Sequence, residues 1–107
     1  MRVRISLTKN YKKGTSISVI TRIELLSLDV SIRDNEILQT FISECEVQHL
    51  SEQVVDEAIR IRKNHPLKTP DAIIAATAMV HRLEIITRNI RDFKGIEGLT
   101  LINPWIF

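Results

Sequence analysis

Cys45 is the only cysteine in the chain, so no intramolecular disulfide can form, and a reducing cytoplasm is the compartment that fits. The amino terminus lacks the apolar core and small-residue cleavage site of a secretory signal. Long apolar runs are missing too: the stretch from Leu67 to Met79 is interrupted by Lys68 and Asp71, too early to cross a bilayer. Of the five aromatic residues, Trp105 and Phe107 stand at the carboxyl end, as a packed tail would, rather than as a base-stacking platform. The most local absence is of negative charge, since no acid precedes Glu24.

What is present is close to the globular average, with 44% hydrophobic and 26% charged residues in 107, enough for one small domain. The net charge is only +2, yet Arg2, Arg4, Lys9, Lys12 and Lys13 crowd the first thirteen residues. Such an arm fits a polyanion contact or a frayed terminus. We divide the chain into a basic arm or substitute strand over 1–16 and a domain over 17–107.

Periodicity and capping signals set the elements. Residues 17–20 read as a strand feeding a helix over 21–28, and the three-four spacing of Ile37, Leu38, Phe41, Ile42 and Cys45 predicts a helix over 34–45. A short strand or extended connection follows over 46–50. Ser51, with Leu50 and Val55 at the positions of a hydrophobic staple, predicts a helix over 52–64 that Pro66 closes. Thr69 as cap and Pro70 in the first turn predict another over 70–81, apolar almost all round and therefore buried on more than one side. Residues 84–87 and 99–102 read as strands, 88–93 as a polar turn or short helix, and 94–98 as a loop. Strands alternating with helices argue for an α/β domain with a mostly parallel sheet.

In such a sheet ligands bind along the carboxyl ends of the strands. That edge should collect Glu24 from the first turn after strand 17–20, Asp71 from the first turn after Pro70, and Asn89 and Asp92 from beyond strand 84–87. A lone acid in a first turn needs no purpose beyond complementing the helix dipole. Several converging acids repel one another unless a cation sits between them, and oxygen donors with water suit Mg²⁺ or Mn²⁺. Such an ion can polarise a phosphoryl oxygen and activate water, so phosphodiester hydrolysis is the chemistry expected. Arg88, Arg91, Lys68 and Arg22 are weaker candidates for phosphate contacts on the same edge. His81 suits a helix carboxyl terminus, while His49 and His65 have no metal-like spacing. Cys45 follows an apolar face and lacks the neighbouring histidine of a catalytic thiol.

The blocks "ISVITRIELLS" and "PDAIIAATAMVHRLEIITRNIRDFKGIEGLTLINPW" resemble the PIN-domain family, especially VapC-type toxin ribonucleases of prokaryotic toxin–antitoxin pairs. The likeness covers residues 17–105, with Glu24, Asp71 and Asn89 with Asp92 in successive blocks. It implies a three-layer α/β/α nuclease that uses Mg²⁺ or Mn²⁺ and RNA, is usually dimeric, and is neutralised by a cognate antitoxin. Carried over, Glu24, Asp71 and Asp92 are metal-site carboxylates, and Asn89 joins the catalytic set. Against that pattern the chain is truncated at its amino end. The family's opening strand, closed by an "LLDTN" block with a principal metal ligand, and the two helices after it are replaced by "MRVRISLTKNYKKGTS".

Residues 3–7 could supply a substitute strand, but too few residues separate it from Ile17 for a parallel crossover, so antiparallel or intermolecular pairing is expected. Apolar surface and an open sheet edge left by the missing elements point to an intimate or segment-exchanged homodimer. Two functions fit: a metal-dependent endoribonuclease, or a catalytically inactive PIN-derived module for dimerisation or antitoxin binding.

Overall fold

A computed structural model describes residues 6–10, 14–87 and 90–102, with side chains described from Ser16 onward within that set. The chain forms, in order, β1 (Ser6–Asn10), β2 (Gly14–Ser18), α1 (Val19–Leu26), α2 (Ile32–Ser43), β3 (Glu46–Gln48), α3 (Glu52–Asn64), α4 (Thr69–His81), β4 (Glu84–Thr87), α5 (Ile90–Phe93) and β5 (Leu101–Ile102). The strands make one sheet in the order β3-β2-β1-β4-β5. β2 with β3 and β4 with β5 pair in parallel, whereas β1 is antiparallel to both β2 and β4. Four strands therefore share one direction and the central strand opposes them.

Only three residues separate β1 from β2, far short of the dozen or more that a parallel crossover takes, so the antiparallel ladder is the pairing open to it. The described strand runs over Ser6–Asn10 and fills the middle of its own sheet, while residues 3–5 of the expected 3–7 lie outside the described residues. The open edge expected there is thus closed within a single chain.

Register separates the two faces. Ser16 and Ile85 both lie opposite the position of Thr8, so they share one face, and both are buried. Ile17 and its parallel partner Val47 lie on the other. The first face carries the larger core: Ile85 with Val54, Ala58 and Ile61 of α3, Ile74 and the alanines of α4, and Phe93. The second joins Ile17 to Leu25 of α1 and Ile42 of α2. Helices on both faces make the three-layer α/β/α arrangement. Over β4 and β5 the second face is more open, and the paired Ile86 and Ile102 are only half-buried.

α3 runs between its expected limits because every local signal agrees. Ser51 Oγ accepts from Val54 N at 3.2 Å, Glu52 sits in the first turn and Arg62 with Lys63 in the last, and Val54, Ala58 and Ile61 are buried at spacings of four and three. α1 begins two residues before the expected helix. Ser18 closes β2, as expected of a strand residue, and also caps α1, its Oγ accepting from Thr21 N at 3.1 Å, so Val19 and Ile20, expected in the strand, open the helix. At α4 the cap position belongs to Lys68, without a side-chain bond, and Thr69 lies inside the helix. Asp71, Ala72 and residues 74–78 of α4 are all buried, as an apolar surface on several sides requires. Arg82, left-handed at φ 55°, ends the helix and turns the chain back into β4.

Core and cap are separable in unfolding experiments. Replacing Ile61, 1% exposed, by alanine should cost about 2–5 kcal/mol. Ser51→Ala should cost about 1 kcal/mol by freeing one helix donor. Urea midpoints at unchanged slope are the measurement, and equal losses in the two variants would contradict the packing described.

Candidate active site

The reversal at Arg82 brings β4 back alongside α4. A thirteen-residue helix spans roughly 20 Å and a four-residue strand roughly 13 Å, so the carboxyl end of β4 approaches the level of the first turn of α4. There Asp71 is 5% exposed, whereas an acid serving only the helix dipole would ordinarily stay in water. Beyond β4, α5 is anchored by Phe93, 2% exposed, and carries Asp92, half-buried, on its solvent side.

Asp71 and Asp92 line one cavity of about 260 Å³, together with Lys68, Arg91, Lys94 and His65. Two of the four expected cation contacts, Lys68 and Arg91, are thus on its wall. Arg22 is exposed on α1 and does not line it, and Arg88 and Asn89 fall outside the described residues. Glu24 departs from expectation. Because α1 starts at Val19, Glu24 belongs to the second turn of the helix, and it is not on the cavity wall. Its Oε1 is shielded from solvent. Among the described residues no group of three acids, histidines or cysteines is close enough to hold a metal ion. The two cavity carboxylates fit a hydrated hard cation, which takes one or two carboxylates and keeps water in its other positions.

The edge is otherwise built from small buried hydroxyls. Ser18 Oγ donates to Thr21 Oγ1 at 3.2 Å, and Thr87 closes β4 at 1% exposure. His65 and Lys94 had no local signal: the imidazole has no spacing motif and the lysine sits in a loop, so only the packing of two distant segments puts them beside the acids.

The chain matches the PIN domain family over residues 6–99. It therefore belongs to the PIN domain family. The relatives found lie among VapC toxins: Ribonuclease VapC1 of Rickettsia felis is 47% identical over 34 residues, 32% of this chain but only 25% of that protein. Among solved structures, a toxin–antitoxin complex from Klebsiella pneumoniae matches with a TM-score of 0.72 at 36% identity, over 83% of this chain and 72% of its own. VapBC2 from Rickettsia felis, bound to a DNA fragment from its promoter, gives 0.72 at 25% identity, covering 82% and 73%. DNA-bound VapBC from Salmonella typhimurium gives 0.67 at 29%, covering 78% and 70%.

Cys45 stands apart from this edge, its Sγ donating to Phe41 O at 3.3 Å. Burial, reinforced by Glu44, pushes its thiol above the ordinary value and leaves less thiolate at neutral pH. At pH 8 it should react with iodoacetamide several-fold more slowly than glutathione does, as mass spectrometry of timed aliquots can follow. A faster reaction would reopen a nucleophilic role for the thiol.

Proposed function

We propose that the chain is a metal-dependent endoribonuclease of the VapC toxin type, acting in the cytoplasm and neutralised by a cognate antitoxin. The observation that carries this reading is the shared cavity of Asp71 and Asp92, which come from two separate sequence blocks. In it Asp71 and Asp92 would hold Mg²⁺ or Mn²⁺, while Glu24 of α1, which packs against α4 but is off the cavity wall, would act on the ion only from outside the cavity. When bound, such an ion polarises a phosphoryl oxygen and lowers the pKa of its water.

The chain's own residues do the rest. Burial of Asp71 beside Ala72 in the first turn of α4 limits the freedom of its carboxylate, so little reorganisation is needed when substrate arrives. Lys68 and Arg91 attract the phosphodiester and offset its charge. Asn89, two residues after Thr87, completes the catalytic set in this reading, and Arg88 beside it joins the cations. The matched toxin–antitoxin complex from Klebsiella pneumoniae supports the partner.

A second reading, a catalytically inactive module for dimerisation or antitoxin binding, is favoured by a different observation. An apolar groove of about 250 Å³ between α3 and α4 is lined by Leu50, Val55, Ile59 and Ile73, and the first three are exposed. Exposed apolar side chains grouped in this way fit a partner's amphipathic helix or a second copy.

Cleavage of a single-stranded RNA in Mn²⁺, by wild type and by Asp71→Ala, separates the readings. The ribonuclease reading expects the variant to lose at least a hundred-fold in rate, on the order of a removed electrostatic group. Cleavage absent from both proteins, or equal in both, leaves the module reading. For the homodimer, sedimentation should report about twice 12.3 kDa, whereas a stable monomer at micromolar concentration rejects it.

A further inference from the structure

The cavity that holds Asp71 and Asp92 is built from two short segments, 65–71 and 91–96, and its charge is not that of an acidic site. Among the described lining residues Lys68, Arg91 and Lys94 outnumber the two carboxylates, leaving one positive charge before His65 is counted. Among the described residues none of the three cations is in an ion pair. A cavity of this balance attracts an anion even before any metal is bound.

Both walls are fixed in place. On one, His65 N donates to Ile61 O at 2.9 Å, Leu67 N donates to His65 O at 2.9 Å, and Arg62 Nε donates to Leu67 O at 3.0 Å. Pro66 locks its own φ between them. On the other, Phe93 and Ile96 are buried, Gly95 supplies the positive φ of 91° that the reversal needs, and Lys94 is left exposed between the two anchors. Neither wall must be ordered when a ligand arrives, which lowers the cost of binding.

Among the described residues no Phe, Tyr or Trp lines the cavity, which leaves backbone contacts as its main handle on a nucleic acid, and its volume suits about one nucleotide rather than a duplex. We propose that His65 and Lys94, which line this cavity from its two separate segments, are positioning residues that seat the sugar-phosphate backbone of single-stranded RNA against Asp71 and Asp92. The role rests on the ribonuclease reading and adds to it two residues that lie outside its acidic set. Lys94 supplies charge to a phosphate, and the imidazole supplies a directed N–H to a phosphate or ribose oxygen.

The test is anisotropy of a labelled ten-nucleotide single-stranded RNA with the full chain in EDTA, where no cleavage interferes. Lys94→Ala and His65→Ala should each weaken binding about three-fold or more, and Lys94→Glu about ten-fold. Lys94→Ala should also flatten the salt dependence by about 0.7 in log–log slope, the loss of one phosphate contact on a single strand. Lys63→Ala, exposed on α3 and off the cavity, should bind as wild type. Because Lys94 is exposed, its variants should keep the wild-type melting temperature, and Lys94→Glu binding RNA as wild type does would overturn the proposal. If wild type cleaves RNA, the two alanine variants should raise KM at nearly constant kcat. An unchanged KM overturns the positioning role and leaves the ribonuclease reading intact. Weakened binding in the variants, with no cleavage by wild type, upholds the seat for RNA and removes the ribonuclease reading instead.

Discussion

Two ladders on one strand hold this molecule together. β1 is the sole link between the parallel pair β2–β3 and the parallel pair β4–β5, and without it the sheet divides in two. Its direction is dictated by chain length, since three residues cannot carry the chain across a parallel connection. That direction has a chemical consequence. Ser6 lies beside Thr87, at the carboxyl end of β4, whereas Asn10 lies beside Gly14, at the opposite end of the sheet. In the resembled pattern the first aspartate closes its strand, and a closing residue reaches the site edge only when the strand runs with its neighbours. An acid at the end of β1 would lie at the opposite end of the sheet from Thr87.

What remains at the edge depends on α4. Its alanines let α3 and the sheet approach closely from different sides, and that same packing takes Asp71 out of water while Thr69 and Pro70 stay exposed. A carboxylate held there is expensive unless charge and hydrogen bonds meet it, which makes its neighbours part of the same physical unit. The segment 91–96 is drawn against that turn by Phe93 and Ile96, two apolar anchors that carry Asp92 and three exposed or half-exposed neighbours with them. Packing in the core therefore sets the spacing of the charges above it.

The same distinction explains how much could be read from the sequence. α3 and β4 stand at the limits expected of them because cap, period and stop signal coincide, and none depends on a distant contact. The start of α1 was obscured by competing signals: Ile17, Val19 and Ile20 favour a strand by composition, while the Ser18 hydroxyl bonding to Thr21 N decides for a helix. That shift of two residues moves Glu24 into the second turn. Asp71 and Asp92 were legible as neighbours because both flank the return of one strand beside one helix. His65 and Lys94 were not, since a turn between helices and a loop after α5 meet only through tertiary packing. β5 begins later than expected, yet Ile85 N already donates to Thr100 O at 2.9 Å, so pairing extends beyond the two-residue strand.

A cavity with a carboxylate and at least one cation on each wall would serve polyanion capture and hydrolysis by different terms of the same electrostatics. Capture of a polyanion depends on net charge and on counterions released, and it tolerates the loss of one group with a modest change in affinity. Hydrolysis depends on oxygen donors converging on one point, and it fails steeply when a single donor is displaced. Lys68, Arg91 and Lys94 are placed by α4, α5 and the turns beside them, and so are Asp71 and Asp92. Cations and carboxylates of this cavity therefore depend on the same packing, and the direction of β1 sets neither.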